Sequence, residues 1–481
     1  MKHRRLFIPN RGEIVKRIVQ SARRLGFAVF GMVPRGDLGL DYKQVLDGFV
    51  EFDEQEHNYF LDTSFIINLC KFFNCNFLHP GYGFLSESPK LSKACQENGI
   101  VFIGPSDTHL ELCGNKEACK NSVKGFFNLI PSASLSDDLK SLEKWVQLHS
   151  PIIVKAQWGG GGRGMRKVYS PNELQIYLEQ ASKEAANFGV PAVFVEKLIE
   201  KARHVEFQVV KPKVKDAIIL GTRDCTIQRR FQKIIEEAPA FIEERLVLET
   251  SERIKNYFNS IDFFGVATVE FLYEGDQLYF LEINPRLQVE HTVTEEIFNV
   301  DIVNLQFLIA MNESFNVDPK CVGHSIQLRI NAEKGLDLLP AQGIFENLKY
   351  PASRVEATYS QGTVVNSHFD SLVAKLIVSA KDRRECLKKA IRALMDLEIR
   401  GVETNQALLL LILTTHDFIS NSHHTDWLES KLKEWKDDNR FNLLNKALSD
   451  SLSSDQGGGV FKGCFRFKKE NDFLKIDLNL A

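Results

Sequence analysis

The chain has 481 residues, of which 44% are hydrophobic and 26% are charged, with 60 Lys and Arg against 63 Asp and Glu. A chain of this length predicts two to four packed units, and its composition argues against disordered, collagen-like and coiled-coil proteins. The formal net charge of −3 leaves no whole-chain basic field, so nucleic acid is excluded as an expected partner.

The nine cysteines are odd in number and scattered, without a C-x-x-C pair or a Cys/His cluster at zinc spacing. This usage predicts reduced thiols in a cytoplasmic compartment and no structural metal site at cysteine. The opening MKHRRLFIPNRGEI has a basic start but no long apolar stretch, and the apolar run at 407–413 is far shorter than the roughly 20 residues of a membrane helix. We therefore expect a cytoplasmic protein without a membrane span.

The first part of the chain predicts an open α/β layer. Residues 5–9 read as a short buried strand, and the turn at 10–12 leads into a helix with apolar residues at helical spacing. Strand-like runs follow at 28–33 and 101–103, with helical stretches between them. The pattern extends the layer to about residue 110 and is typical of a parallel sheet.

A second unit, with the character of a lid, is predicted between about residues 130 and 200. A buried strand at 152–156 carries Lys155 and is followed by a glycine-rich loop at 159–164, a long helical segment and a strand at 193–196. Glycine lets backbone N–H groups approach phosphates closely, and Lys155 supplies a positive charge. A flexible linker is the alternative for the loop, and the Walker-type phosphate loop is excluded because no Lys-Ser/Thr follows the glycines.

Two segments after residue 203 carry polar side chains in suggestive patterns. His204, Glu206 and Gln208 alternate with apolar residues and should share one face of a strand, which is either functional or simply half-exposed. The segment 225–233 concentrates cationic side chains and suits an anion such as bicarbonate or phosphate. A solvated basic loop remains the alternative for that segment.

The segment 266–286 predicts a β-hairpin that carries a metal site. If its turn centres on Asp276, Glu270 lies opposite Glu282, and Asn284 follows on the same face, while Phe271, Leu281 and Ile283 occupy the other face. Like charges on a mostly apolar hairpin are costly to bury unless a cation neutralises them. A hard cation such as Mg²⁺, itself bound to phosphate oxygens, fits this set; a solvated sheet face is the alternative.

The rest of the chain is predicted to be β-rich and then helical up to about residue 446, with helices beginning near Glu385 and spanning 405–413. From residue 447 the sequence SDSLSSDQGGG has a linker composition, and a short Phe/Lys-rich segment of strand character follows it. No internal repeat is evident, and the tail at 447–481 suggests no role.

Taken together, these segments resemble the biotin carboxylase family, the ATP-grasp component of acetyl-CoA, propionyl-CoA, methylcrotonyl-CoA, pyruvate and related carboxylases. The resemblance runs from about residue 4 to about residue 430 and rests on many motifs in one order. They are PNRGEI (9–14), HPGYGFLSE (79–87), FIGPS (102–106), GGGGRGM (159–165), RHVEFQV (203–209), RDCTIQRR (223–230), EEAPA (236–240), EINPRLQVEHTVTE (282–295), RINAE (329–333) and FDSLVAKLI (369–377).

The resemblance implies an α/β and α+β multi-domain ATP-grasp fold. Its parts are an N-terminal Rossmann-like domain at 1–112, a mobile lid subdomain with the glycine loop at 113–203, and the catalytic and C-terminal domain at 204–446. The linker and tail at 447–481 lie outside the resemblance.

By similarity, this family implies a nucleotide site and a metal site. The ATP phosphates are held by Lys116, Lys155, Gly161, Gly162 and His204, the adenine pocket is lined by Glu196, Lys197, Leu198 and Ile199, and Gln228 also belongs to the binding site. The metal positions are Glu270, Glu282 and Asn284, which agrees with the hairpin argument. ATP and two Mg²⁺ or Mn²⁺ ions are thus the implied cofactors.

The family mechanism implies that bicarbonate lies among Lys233, Arg286, Gln288 and Val289, and that Glu290 removes its proton. Bicarbonate then attacks the γ-phosphate to give carboxyphosphate, whose breakdown yields CO₂ and a phosphate that deprotonates biotin. Arg329 steadies the enolate-like charge that develops on biotin. Lid closure excludes water, which would otherwise consume the intermediate.

The chain departs from the common family pattern at several positions, none of which is an implied metal ligand, base or key arginine. Phe231 stands where His is usual next to the ATP phosphates, and Gln157-Trp158 replaces small residues before the glycines. The other departures are Gln327-Leu328 for Glu-Cys, Asn115 for Asp, and Lys334-Gly335 for Asp-Pro.

The partners follow from the same resemblance. The chain lacks an Ala/Val-Met-Lys-Met biotin attachment site, so biotin should arrive as a substrate on a separate carrier protein, and a carboxyltransferase subunit and a homodimer are implied. The final carboxyl acceptor is not fixed by the sequence. The alternatives are a catalytically weak paralogue that serves as a structural or regulatory subunit, and another ATP-grasp ligase with a different carboxylate substrate.

Overall fold

The computed structural model describes residues 4–55, 58–134, 139–156, 165–186, 193–318, 320–365, 368–438, 440–451, 464–470 and 473–479.

The N-terminal part folds as the predicted parallel α/β layer. Its five strands lie in the order β3-β2-β1-β4-β5, and all the pairings are parallel. Parallel strands are buried on both faces, which matches the continuous apolar runs of the sequence. The strands are β1 (Arg5–Ile8), β2 (Ala28–Pro34), β3 (Gly48–Phe52), β4 (Phe77–Leu78) and β5 (Val101–Phe102), and the helices are α1 (Glu13–Arg24), α2 (Thr63–Phe72), α3 (Pro89–Glu97), α4 (Asp107–Gly114) and α5 (Lys116–Ser122).

A nine-stranded sheet forms the body of the molecule. Its order is β21-β23-β16-β13-β12-β11-β14-β15-β6, and every pairing is antiparallel except the parallel edge pair of β15 with β6. The strands are β6 (Asn128–Leu129), β11 (Arg203–Lys211), β12 (Ile218–Arg229), β13 (Gln232–Ala238), β14 (Gly265–Glu274), β15 (Gln277–Asn284), β16 (His324–Asn331), β21 (Arg354–Ala357) and β23 (Leu372–Ala380). One sheet thus joins the part of the chain between β6 and β15 to the part between β16 and β23.

The lid is a separate four-stranded sheet with the order β7-β10-β8-β9. Its elements are β7 (Ser132–Ser134), β8 (Ile152–Ala156), β9 (Arg166–Val168), β10 (Val193–Lys197), α6 (Leu139–His149) and α7 (Leu174–Ala186). It has its own apolar core, in which Val146, Val154 and Val195 are fully buried. The predicted glycine loop and the Gln157-Trp158 departure lie outside the described residues.

The chain enters and leaves the lid through two adjacent segments. The amide of Lys197 donates to the carbonyl of Pro131 at 2.9 Å, and the amide of Leu198 donates to the carbonyl of Pro151 at 2.9 Å. Both ends of the lid are therefore joined to each other beside the large sheet, where β6 precedes the lid and β11 follows it.

Helices and short strands cover the large sheet. Helix α12, predicted from its apolar run, is buried at every position, because the C-terminal elements surround it. The helices are α8 (Glu244–Ser260), α9 (His291–Phe298), α10 (Ile302–Ala310), α11 (Arg383–Asp396), α12 (Gln406–Leu413), α13 (His416–Ile419), α14 (Trp427–Lys436) and α15 (Arg440–Ser451). The short strands are β17 (Glu333–Lys334), β18 (Leu339–Pro340), β19 (Gly343–Ile344), β20 (Asn347–Lys349), β22 (Val364–Val365) and β24 (Glu398–Arg400).

The tail has the predicted strand character. Strands β25 (Cys464–Glu470) and β26 (Phe473–Asn479) pair antiparallel over seven residues each. Within the described ranges, no helix combines the length and the apolar character that crossing a bilayer requires.

Candidate active site

The floor of the cleft is the polar face of β11. His204, Glu206 and Gln208 are buried on this face, while Val205 and Phe207 point into an apolar core on the opposite side. The strict alternation of polar and apolar residues places them so, because successive side chains of a strand point to opposite faces. The polar face is thus buried and is not a half-exposed edge.

The hairpin of β14 and β15 brings the expected metal positions together. Glu270 pairs directly with Glu282 across the strands, as predicted. The Nδ2 atom of Asn284 donates to Glu270 Oε1 at 2.9 Å and to Glu282 Oε1 at 3.1 Å. Two carboxylates thus converge on the amide group of Asn284, whose oxygen accepts from Arg286 Nη2 at 3.2 Å. Carboxylate and amide oxygens are the donors that Mg²⁺ prefers. The residues present fit such an ion.

One detail of the hairpin prediction is wrong. The register shifts between Glu270 and Phe271, so that Phe271 lies opposite Phe280 and Leu281 is the extra residue. Because this bulge reverses the alternation, Phe271, Phe280 and Ile283 share the apolar core that contains Phe207. Leu281 instead packs against the small cluster that contains Ile199. The bulge thus turns Leu281 toward the segment expected to line the adenine pocket.

Lys233 lies at the centre of the carboxylates. It enters from β13, its Nζ contacts Glu206, and it donates to Glu270 Oε1 at 3.2 Å and to Glu290 Oε1 at 2.7 Å. Burial alone would lower its pKa, but Glu206, Glu270 and Glu290 outweigh burial and raise that pKa well above its ordinary value. Lys233 therefore stays charged and offers a fixed cation to an anionic substrate.

Glu290 is held between two cations. It stands at the N-terminal end of α9, and besides Lys233 it accepts from Arg329 Nη2 at 3.0 Å through Oε2. Burial tends to raise its pKa, but Lys233 and Arg329 outweigh burial and neighbouring Glu206, so its pKa is lowered. The carboxyl group is thus ionised at neutral pH, as an acceptor of a proton must be.

Arg329 is anchored from behind by a buried carboxylate. Its Nε atom donates to Glu236 Oε1 at 2.6 Å, and Gln327 Nε2 donates to the other oxygen of Glu236 at 2.9 Å. The Thr292 hydroxyl in turn donates to Gln327 Oε1. Gln327, one of the departures from the family pattern, therefore helps to hold the carboxylate that anchors Arg329.

Arg286 and Gln288 line the same cleft. Arg286 Nη1 donates to Gln288 Oε1 at 3.0 Å, and Gln288 Nε2 donates to Glu270 Oε1 at 3.1 Å. Arg286 Nε also lies 2.6 Å from Glu87 Oε1, which belongs to the N-terminal α/β layer. The structure thus brings together Lys233, Arg286, Gln288, Glu290 and Arg329 around one polar space.

A group of lysines lies at the junction of α5 and the lid. Lys120 on α5 and Lys155 on β8 both contact the buried carboxylate of Glu196. Burial, together with repulsion from Lys116, lowers the pKa of Lys120 to about 8, and burial together with Lys120 and Lys116 lowers the pKa of Lys155 well below its ordinary value. The lysines repel one another more strongly than Glu196 and Glu282 compensate, so a polyphosphate at this place would stabilise their charged forms.

The four residues expected to line the adenine pocket lie in two different environments. The carboxylate of Glu196 faces the lysines just described, while Ile199 is buried in the small apolar cluster with Leu272 and Leu281 near it. Lys197 and Leu198 contribute backbone amides to the base of the lid.

The departure at Phe231 lies at the tip of the hairpin of β12 and β13. Arg230 and Phe231 both have positive φ, 48° and 66°, and form the two-residue turn. Phe231 is 37% exposed, and Gln228 pairs with Lys233 just below the tip. The hairpin thus presents an apolar ring where the resemblance leads one to expect a hydrogen-bonding one.

Sequence reasoning assigned no role to four residues that line or support the cleft, namely Glu87, Lys120, Arg223 and Glu236, and it left Glu206 open between a functional and a half-exposed strand face. Arg223 is fully buried and binds Glu206, Gln208, Thr268 and Thr294 through its guanidinium. Signals were present, because Lys120 follows Lys116 by one helical turn and Glu206 alternates with His204. Glu236 gave no local signal, since only the pairing of β13 with β16 places it behind Arg329.

The lid, the carboxylate-bearing hairpin and the facing cations define an ATP-dependent ligase of the ATP-grasp type. Three family models match consecutive parts of the chain. They are the biotin carboxylase N-terminal domain at residues 2–110, the ATP binding domain of the carbamoyl-phosphate synthase L chain at 116–317, and the biotin carboxylase C-terminal domain at 327–430. The chain belongs to the biotin carboxylase family.

Curated relatives agree with this membership. The biotin carboxylase of Allochromatium vinosum is 36% identical over 442 residues, which cover 89% of this chain and 98% of the relative. The biotin carboxylase of Haemophilus influenzae is 36% identical over 441 residues, with 89% and 98% covered. The pyruvate carboxylase of Bacillus subtilis is 35% identical over 447 residues, and only 39% of that longer protein is covered.

Solved structures agree in fold. A Campylobacter jejuni biotin carboxylase in complex with a β,γ-ATP compound superposes with a TM-score of 0.86 at 32% identity, covering 89% of this chain and 98% of that one. The biotin carboxylase domain dimer of Hydrogenobacter thermophilus 2-oxoglutarate carboxylase, with MgADP, ADP and bicarbonate, gives a TM-score of 0.86 at 33% identity, covering 91% and 98%.

Proposed function

We propose that this chain carboxylates biotin with MgATP and bicarbonate, through carboxyphosphate, as the first half-reaction of a biotin-dependent carboxylase. The observation that carries the proposal is the position of Glu290 between Lys233 and Arg329, in the same cleft as the carboxylates of Glu270 and Glu282. A base, two cations for anions and a metal donor set are the groups that this reaction needs.

Each residue has a distinct task in the proposed reaction. Bicarbonate binds among Lys233, Arg286, Gln288 and Val289, where the positive charges favour an anion. Glu290 accepts its proton, and Arg329 stabilises the negative charge that develops on biotin. Arginine suits this task because it stays protonated and donates a planar fork of hydrogen bonds.

ATP is assigned to the cleft between the lid and the large sheet. The phosphates are held by Lys116, Lys155 and His204, with Gly161 and Gly162 outside the described residues, and the base lies against Glu196, Lys197, Leu198 and Ile199, near Gln228. Glu270, Glu282 and Asn284 would hold Mg²⁺ or Mn²⁺, which neutralises phosphate charge when bound. His204 Nε2 lies 2.9 Å from Glu270 Oε2, so the phosphate and metal positions adjoin.

The domain division at residues 112, 203 and 446 belongs to the proposal as well. It is supported by the continuous sheet of β11 to β23, which unites most of 204–446. Strand β6 precedes the lid yet pairs with β15, so the part of 113–203 before β7 lies with the large sheet.

We assign partners on the same basis. Biotin arrives on a separate carrier protein and a carboxyltransferase subunit uses the product, as membership in the biotin carboxylase family implies. A homodimer is part of the proposal, and a reducing, cytoplasmic setting is supported by the eight free cysteines among the described residues.

The test is phosphate release from MgATP, with and without bicarbonate and free biotin. We expect bicarbonate-dependent, biotin-stimulated release, and Glu290→Gln and Arg329→Ala should each reduce it by a factor of about 10² or more. The matched controls are Glu237→Gln and Arg383→Ala. Glu237 on β13 and Arg383 on α11 form a buried ion pair outside the cleft. They should retain turnover.

ATP binding without release above that of the two cleft variants would favour the structural or regulatory paralogue. Release that depends on a carboxylate other than bicarbonate would favour another ATP-grasp ligase.

A further inference from the structure

Three sequence motifs have no task in the proposed reaction, although they lie far apart in the chain: PNRGEI (9–14), HPGYGFLSE (79–87) and FDSLVAKLI (369–377). The structure brings one residue of each to the same point. The Tyr82 hydroxyl donates to Glu13 Oε1, and Lys375 Nζ lies 3.2 Å from the same oxygen. These motifs therefore meet at one ammonium group.

Lys375 is a fully buried cation on β23. Its Nζ lies 2.7 Å from Glu356 Oε2 on β21 and donates to the carbonyl oxygen of Val289 at 3.2 Å. An ammonium group has three N–H donors, and two carboxylates and one carbonyl match that number. Burial alone would lower the pKa of Lys375, but Glu13 and Glu356 outweigh burial and raise it, so the cation persists.

The Val289 carbonyl belongs to the peptide bond that joins Val289 to Glu290. Glu290 stands at the N-terminal end of α9 without a side-chain cap, so its direction depends on how this peptide is held. Lys375 holds the peptide on one side, and Lys233 holds the carboxylate at 2.7 Å on the other. The proposed base is thus fixed at both its backbone and its side chain.

We propose that Lys375 is a positioning residue for bicarbonate activation, which orients the Val289–Glu290 peptide from behind the cleft and ties it to Glu13 of the N-terminal layer. The inference rests on the proposed function. Lys375 is not among the residues assigned to bicarbonate or ATP, and it acts through Val289 and Glu290. A small displacement of a reacting group is enough to reduce the rate strongly, which is why such support matters.

The test compares Lys375→Met with wild type in bicarbonate-dependent phosphate release from MgATP. Methionine is about as long as lysine but has no charge and no donor. We expect kcat/KM for bicarbonate to fall at least 10-fold, while KM for ATP changes less than about 2-fold, because this peptide is not part of the site assigned to ATP. Lys375→Arg, which keeps the charge, should recover part of the loss.

Lys211→Met is the matched control. Lys211 is also a buried lysine that donates to backbone carbonyls, those of Pro212 at 3.0 Å and Lys215 at 2.8 Å, at the far end of β11. It should leave kcat/KM for bicarbonate within about 2-fold of wild type. An equal loss in Lys211→Met and Lys375→Met would reduce the role of Lys375 to general stability and overturn the inference.

Glu356→Gln decides the matter if Lys375→Met does not fold. It removes the 2.7 Å ionic partner that fixes the ammonium, and we expect KM for bicarbonate to rise about 3-fold or more with KM for ATP unchanged. An unchanged KM for bicarbonate in the folded variant would refute the inference. A wild type without bicarbonate-dependent release would instead refute the proposed function, and the inference with it.

Discussion

At the scale of single residues, the cleft is built from charges that would be unfavourable in isolation. Glu206 and Glu270 are buried beside each other, and Lys233 and Arg223 neutralise them. A buried ion pair is stable only when its partners satisfy each other. These residues are consequently sensitive to substitution, whereas Phe231 at the rim has no such partner network to lose.

Phe231→His should improve ATP binding. Phe231 lies at φ 66° and is 37% exposed, and histidine both tolerates this conformation better and adds a donor for phosphate. We expect KM for ATP to fall about 2- to 5-fold with kcat nearly unchanged, since the added contact acts on bound ATP and not on the transition state alone. Steady-state kinetics at saturating bicarbonate measure both constants.

Phe231→Leu is the control, because it removes the ring without adding a donor. Equal KM values for ATP in the His and Leu variants would contradict the prediction.

At the scale of elements, the pairing of β13 with β16 determines how Arg329 is presented. Glu236 lies directly opposite Gln327, and both side chains are fully buried. An amide at residue 327 can donate to Glu236 while its oxygen accepts from Thr292, whereas a second carboxylate would repel the first. The strand register thus places Gln327, which departs from the family pattern, where its amide group is hydrogen-bonded on both sides.

Gln327→Leu should destabilise the fold and impair turnover. It leaves an oxygen of Glu236 and the hydroxyl of Thr292 buried without a partner, and each such loss costs about 1–3 kcal/mol. We expect the free energy of unfolding in urea to fall by about 2 kcal/mol or more, together with a loss of biotin-stimulated phosphate release, since Arg329 loses support.

Gln406→Leu serves as the comparison, since Gln406 is also buried and donates to the carbonyls of Leu394 at 2.6 Å and Leu397 at 2.9 Å, away from the cleft. It should lower stability to a similar extent and leave turnover per folded molecule intact. A Gln327→Leu protein with wild-type stability would disprove the stabilising role of the hydrogen bonds among Thr292, Gln327 and Glu236.

The pairing of elements also separates what could be predicted from the sequence from what could not. The parallel layer, the hairpin with Glu270 opposite Glu282, and the polar face of β11 follow from residue periodicity, because that periodicity is local. The bulge at Leu281 and the contacts of Glu236 and Lys375 depend on which strands pair over long distances in the chain. Periodicity within one segment carries no information on such pairing, so those residues could not be predicted.

At the scale of the whole molecule, buried ion pairs join elements that are distant in sequence. Glu237 on β13 accepts from Arg383 on α11 at 2.7 and 2.9 Å and lies 2.9 Å from His324 on β16. Burial alone would raise the pKa of Glu237, but Arg383 and His324 outweigh burial and hold that pKa well below its ordinary value. Folding is thus linked to proton binding at this carboxylate.

The sign of the linkage predicts loss of stability in acid. Because the folded-state pKa of Glu237 is depressed, its contribution is fully present above the unfolded-state pKa, roughly 4.5, and is lost as the pH falls toward the folded-state value. Glu237→Gln should therefore cost about 3 kcal/mol at pH 7 and progressively less below about pH 4.5. Urea unfolding at pH 7, 5, 4 and 3.5 measures this difference.

Glu249→Gln is the surface reference, since Glu249 is exposed and pairs with Arg245 one turn away. Its effect should be under about 0.5 kcal/mol at every pH. A difference between wild type and Glu237→Gln that stays constant down to pH 3.5 would be inconsistent with the depressed pKa.

The paired entry and exit segments of the lid restrict the freedom of this part of the molecule. The backbone bond from Lys197 to Pro131 fastens its two connections side by side, and the bond from Leu198 to Pro151 fastens the exit to the segment before β8. A second attachment lies on β9, where Lys167 pairs with Asp426 just before α14. Any rotation of the lid about its paired connections would therefore have to break this ion pair.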